Sequence, residues 1–274
     1  MTKNKPVNYL KEFAYEKKDK KQKNKLPNKI FLISIILVGL AILVFFANLF
    51  SGLITPGRIN LNRGERYSLE HNLYSVELAN TNNIGEANEI SVNFKQQLAA
   101  GYVVNDKGNY HILASMYQNK SNAESVVQNL KDSGVDASIY EIKIPAIYLD
   151  LALENSEKEE LKNVLTLWYD TYENLYNISI SLDKSEITKE QCSIEIINLK
   201  NDLQSKIATF NESLEVAKLT QVIYTKIYAN MLLEKINELV EQDNLSTLYS
   251  SKIKETYFKI IYDYISLKTE LAKN

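Results

Sequence analysis

Residues 74–104 read YSVELANTNNIGEANEISVNFKQQLAAGYVV, and residues 110–140 read YHILASMYQNKSNAESVVQNLKDSGVDASIY. The two stretches are diverged copies of one unit. At an offset of about 36 residues, Tyr74 falls on Tyr110, Val76 on Ile112, Leu78 on Ala114, Ala87 on Ala123, Ile90 on Val126, Phe94 on Leu130 and Lys95 on Lys131. Repeats of this length mark one supersecondary unit used twice.

The unit reads as strand, helix, strand. Tyr74, Val76 and Leu78 alternate with Ser75 and Glu77, the pattern of a strand with one buried face. Tyr110, Ile112 and Ala114 keep the same phase, but Leu113 breaks the polar rule. Ala87, Ile90, Phe94 and Leu98 then recur at helical spacing, as do Ala123, Val126 and Leu130. Gly101 and Gly134 sit just past these runs, where a left-handed C-cap is expected. Asp106, Lys107, Gly108 and Asn109 read as the turn between copies. Two such units close into one small sheet with both helices on one face. The other face is expected to be wet, a natural ligand platform. Alternation places Ser75, Glu77 and Ala79 there from the first copy and His111, Leu113 and Ser115 from the second.

Residues 72–145 resemble a SPOR domain. The matching features are the aromatic-x-Val strand start, an Ala in each helix, a Leu/Phe-Lys helix end and a Gly before each return strand. The resemblance implies two half-repeats, a four-stranded sheet and two helices. It also implies binding to peptidoglycan glycan strands stripped of stem peptides, and targeting to division or sporulation septa. The candidate glycan-binding residues under it are Ser75, Glu77, His111, Leu113, Ser115 and Tyr117. The chain departs from the family where Glu77 replaces a usual Gln, and where His111 and Leu113 stand in place of flanking Arg. Ala79-Asn80-Thr81 and Ser115-Met116-Tyr117 replace the usual Gly-x-Phe strand ends. A sheet that had lost its ligand would leave a module that docks proteins.

Ahead of the repeat, residues 30–50 are almost wholly apolar, with Ser34 and Asn48 as the polar exceptions and no charge. About 20 such residues span a bilayer as a helix. Lys17, Lys18, Lys20, Lys21, Lys23, Lys25 and Lys29 crowd the near side, which places the N-terminus in the cytoplasm and the rest outside. The apolar run is too long for a cleaved signal peptide and reads as a single-pass anchor. The expected layout is a basic cytoplasmic tail (1–29), a transmembrane helix (30–50), a linker (51–71), the SPOR-like domain (72–145) and a C-terminal helical domain (146–274). This layout is similar to that of the stage II sporulation protein B group.

After Pro145 there is no further Pro, and after Gly134 no further Gly, so the last half lacks the main helix breakers. Leu161, Val164, Leu165, Trp168, Tyr172 and Leu175 trace one helix face, opened by a Ser156/Glu159 capping pair. Asp183 with Glu186 is a second candidate cap. A second stripe runs through Ile194, Ile197, Leu203, Ile207 and Phe210, then Ile223, Ile227, Met231, Ile236 and Leu239. It is one long helix or two with a turn near Ser213, and compactness favours two. A last helix follows Ile253, Tyr257, Ile260, Tyr264 and Leu267. Tyr169, Tyr172 and Tyr176 are expected to line this bundle.

Chemistry has little to work with. The two histidines are His71, in the expected linker, and His111 on the sheet; no metalloprotease, P-loop, dinucleotide or nucleophile-elbow motif occurs. Glu157, Glu159 and Glu160 read as a solvated helix start. Cys192 is single, so no intrachain disulfide forms, and its apolar neighbours predict a small buried hydrophobe. A net charge of −2 argues against a nucleic-acid surface. The reading is therefore a non-enzymatic protein with no catalytic residue, cofactor or metal. Its expected partners are peptidoglycan glycan, the lipid bilayer and a division or sporulation protein bound through the helices. The alternative is a tethered scaffold that binds only proteins.

Overall fold

The computed structural model describes residues 64–68, 70–215, 219–242 and 246–272. The basic tail, the expected membrane span and most of the linker lie outside the described residues. Among the described residues no helix is long and apolar enough to cross a membrane. The described residues form an α+β fold with six helices and a four-stranded antiparallel sheet.

The repeat forms the sheet. Strands β2 (His71–Thr81), β3 (Tyr102–Asp106), β4 (Asn109–Tyr117) and β5 (Ser138–Ile144) lie in the order β3-β4-β2-β5. Helix α1 (Ile84–Lys95) connects β2 to β3, and α2 (Lys120–Asp132) connects β4 to β5. Each copy is thus a split βαβ unit whose two strands flank a strand of the other copy. Lys107 (φ 52°) and Gly108 (φ 91°) make the tight β3–β4 turn, as two positive-φ residues in a hairpin should. Val76, Ala114, Ala123, Val127 and Ala137 pack the helix-bearing side.

The helix ends show where local sequence governs. Gly134 (φ 82°) closes α2 in a Schellman turn, with Gly134 N–H donating to Lys131 O and Val135 N–H to Leu130 O, both at 2.9 Å. The matching role after α1 falls to Leu98 (φ 66°), not to Gly101. Ala99 N–H reaches Phe94 O at 3.1 Å and Leu98 N–H reaches Lys95 O at 3.1 Å. Gly101 (φ 54°) instead lets the return strand press on α1, because a Cβ there would sit 2.6 Å from Ser91 O.

A short strand β1 (Glu65–Ser68) pairs antiparallel with β6 (Ile147–Leu149). The expected linker is therefore strand at Glu65–Ser68 and again from His71, whose ring stacks on Tyr169 at 4.4 Å. Glu65 is fastened to the first C-terminal helix by Lys162 at 2.8 Å.

Four helices follow: α3 (Asn155–Asp183), α4 (Lys189–Ser213), α5 (Thr220–Val240) and α6 (Tyr249–Ala272). The turn near Ser213 is present. The caps differ in register from expectation. Glu154 N–H donates to Glu157 at 2.8 Å at the start of α3. Thr188 and Gln191 cap α4 reciprocally, at 3.2 and 2.8 Å. Asp183 ends α3 instead of opening a helix, and its carboxylate accepts from Lys254 and Ser250 of α6.

The apolar stripes of α3 and α6 hold, and Tyr172 is fully buried with Tyr169 and Tyr176 packed beside the core. In α4 and α5 the phase differs. Cys192, Ile196, Leu203, Ile207 and Phe210 face inward on α4, while Ile194 and Ile197 face solvent. Val222, Ala229, Leu232, Ile236 and Leu239 are buried on α5, while Ile223 and Ile227 are exposed. Both helices carry apolar residues on two faces, so spacing alone did not choose the inner one. Cys192 is buried as expected, and burial pushes its thiol up to about 12.

One hydrophobic core runs through the sheet and the bundle. Leu73, Leu113, Met116, Ile142 and Ile144 share it with residues of α3 and α6. The boundary expected at 145/146 falls in the turn between β5 and β6, and the core is continuous across it.

Candidate functional site

The sheet face opposite α1 and α2 is not open. Strand pairing puts Leu73, Ser75 and Glu77 of β2, Tyr102 and Val104 of β3, His111, Leu113 and Met116 of β4, and Tyr140, Ile142 and Ile144 of β5 on that face. Most are apolar, and the bundle covers them. Tyr102 stacks on Phe258 and Tyr262 of α6, with centroids 5.1 and 5.4 Å apart. Tyr257 and Tyr172 direct their hydroxyls at the Met116 peptide, Tyr257 accepting from its N–H at 3.4 Å and Tyr172 donating to its carbonyl at 3.3 Å. The face is therefore not the wet platform expected from the alternation. Leu113, the residue that broke the alternation, marks a buried face.

The six sequence-derived site residues divide into three groups. Ser75 and Leu113 are on the expected face but fully buried, and Ser75 Oγ donates to Ser115 O at 2.8 Å. Ser115 and Tyr117 lie on the other face. The register slips between Val76/Ser115 and Glu77/Leu113, and one extra residue in a strand reverses every side chain beyond it. Ser115 Oγ donates to Tyr117 OH at 3.0 Å there. Glu77 and His111 remain on the expected face and meet at its end, where Glu77 is buried and His111 half-buried.

That end is a hydrogen-bonded polar cluster. The Glu77 carboxylate accepts from His111 Nδ1 at 2.7 Å, Ser138 Oγ at 2.7 Å and Asn80 Nδ2 at 3.0 Å. Burial works to raise this carboxyl, but the hydrogen bonds from Ser138, His111 and Asn80 outweigh it and hold the group below its ordinary value. Asn109 Nδ2 approaches His111 Nε2 at 3.3 Å, which fits an imidazole carrying its proton on Nδ1. The ring leans on Tyr140 at 4.8 Å. Asn80, Ser138 and Asn109 are not among the site residues expected from the sequence. Their signal was present in the strand ends, where short polar side chains flank Glu77 and His111 on neighbouring strands.

The cluster is a hydrogen-bonded set in which His111 meets the Glu77 carboxylate through Nδ1 and Asn109 through Nε2, and the space beside Glu77, Asn80 and Ser138 is about 60 Å³. Among the described residues no group of three or more His, Cys, Asp or Glu could hold a metal ion. The chain matches no family model, no curated protein and no solved structure.

Proposed function

We propose that this chain is a membrane-anchored, extracytoplasmic scaffold of the cell envelope, built on a SPOR-type sheet unit and binding protein partners of the division or cell-wall machinery. It is read as non-enzymatic, single-pass, with its N-terminus in the cytoplasm. The observation that carries the reading is the burial of the sheet's ligand face by α3 and α6, with Leu113 and Ser75 at 0% exposure. A glycan strand needs a long groove of stacking rings and hydrogen-bonding groups, and here that groove is filled by the protein's own helices. What the body offers instead are isoleucines on the outer faces of α4 and α5. Ile194, Ile197, Ile223 and Ile227 are 57%, 42%, 46% and 49% exposed. Paired apolar side chains of this kind suit a partner's surface.

A photo-crosslinking amino acid at Ile197 or Ile227 of the full chain, in the cell that makes it, tests the reading. One protein adduct common to both sites, lost in an Ile194→Lys/Ile223→Lys variant that still folds, supports it. Absence of any protein adduct at either site sinks it.

One observation favours a second reading, in which SPOR-type glycan binding is kept at the polar corner of the sheet. Glu77, Asn80, Asn109, His111 and Ser138 converge there beside the Tyr140 ring. Such a corner would hold the end of a stripped glycan strand and direct the chain to a septum. Binding would then be lost in His111→Ala.

A further inference from the structure

On the helix-bearing side of the sheet, a cleft of about 380 Å³ opens between α1 and α2 and is bounded at its inner end by α3 and α6. That size lies within the range of small-molecule sites, about 300–1,000 Å³. Its floor is Val76 and Ala114, and its walls are Phe94 and Leu98 on one side and Val126 and Leu130 on the other. Three features point to an occupant. The first is Leu98. It holds φ 66°, a conformation that costs a non-glycine residue about 1 kcal/mol or more. Glycine would relieve that cost but would remove the wall. The turn that carries Leu98 is pinned from α6, by Lys254 Nζ on Leu98 O at 2.8 Å and Ser251 Oγ on Ala99 O at 2.7 Å.

The second feature is a hydrogen-bond donor left over. The Tyr117 hydroxyl is buried on the cleft and accepts from Ser115 Oγ, while its own proton has no acceptor among the described residues. Buried donors are normally satisfied. The third feature is charge. The Lys254 ammonium at the inner end of the cleft is already matched by Asp183. The inner end is therefore neutral, and an anionic head would meet the Asp183 carboxylate without a free cation to offset it.

We propose that the cleft binds a neutral single-chain amphiphile, such as a long-chain alcohol or monoacyl ester. The alkyl chain lies between α1 and α2, and the head oxygen accepts the Tyr117 hydroxyl proton. The cleft is on the face opposite Glu77 and His111, so this site and the reading above stand or fall separately.

The test uses the full chain in lipid nanodiscs with a diazirine-bearing long-chain alcohol and its matching carboxylate. After irradiation, labelled peptides are mapped by mass spectrometry. Saturable labelling of the peptides bearing Phe94, Leu98, Val126 and Leu130 is expected, displaced by unlabelled alcohol and about fivefold stronger than with the carboxylate. Tyr117→Phe, close to isosteric, should weaken half-saturation about fivefold to tenfold. Val126→Trp should abolish cleft labelling by filling the space. Non-saturating labelling, equal or stronger labelling by the carboxylate, or an unchanged Tyr117→Phe response would overturn the proposal.

Discussion

Glu77 and Lys268 are buried charged residues in opposite circumstances. Glu77 has three donors, so its folded-state value is depressed. Its stabilisation is present above the unfolded value of about 4.3 and is lost as pH falls through the folded value. Glu77→Ala should therefore destabilise by about 2 kcal/mol near neutrality, and its deficit should shrink in acid urea melts as the carboxylate of the parent protein is protonated. Lys268 is 3% exposed, and among the described residues its ammonium has no hydrogen-bond partner, only the Tyr264 ring at 4.7 Å. Burial, opposed by Glu70, pushes it down to about 8. Between that value and the unfolded value of about 10.4, the unfolded chain binds more protons, so stability rises with pH. Lys268→Met is expected to gain about 1–3 kcal/mol at neutral pH. The gain should shrink once pH passes about 8, and a pH-independent gain would contradict the assignment.

At the scale of elements, the α1–β3 connection and the start of α6 form one fastening. Lys254 bridges Leu98 O and Asp183, and Lys95 pairs with Glu255 at 2.9 Å. Removing one member of a buried pair leaves the other uncompensated. Lys254→Met should cost about 2–4 kcal/mol, and Lys254→Met/Asp183→Asn less than the sum of the singles, as a thermal double-mutant cycle would show. Gly101→Ala should cost about 2 kcal/mol or more, since the new Cβ meets Ser91 O in a left-handed backbone. The elements themselves were largely legible. The repeat located both βαβ units, and long apolar stripes located α3 and α6. Local features were missed where tertiary contact decides. Leu98 holds the left-handed position in a turn whose carbonyl Lys254 of α6 binds, and β1 is paired only with β6. The reversal of Ser115 and Tyr117 came from a bulge that alternation cannot show.

At the scale of the whole molecule, the sheet unit and the helical bundle share a core. The repeat alone suggested a free-standing module with a wet face. The contrary signal was also in the sequence, as Leu73, Leu113, Ile142 and Ile144 give the second face its own apolar row. A fragment of residues 72–145 would expose that row, and is expected to aggregate or stay unfolded. Residues 64–272 should unfold in one urea transition, coincident by fluorescence and circular dichroism; two separated transitions would show independent domains. The same burial leads to the functional account, because the face that would hold glycan holds α3 and α6. Sedimentation of the 64–272 body with amidase-stripped and with untreated peptidoglycan tests this most directly. The scaffold account predicts that the body stays in the supernatant with both. Preferential pelleting with stripped glycan, reduced by Glu77→Gln and by His111→Ala, would contradict it and assign glycan binding to the polar corner of the sheet.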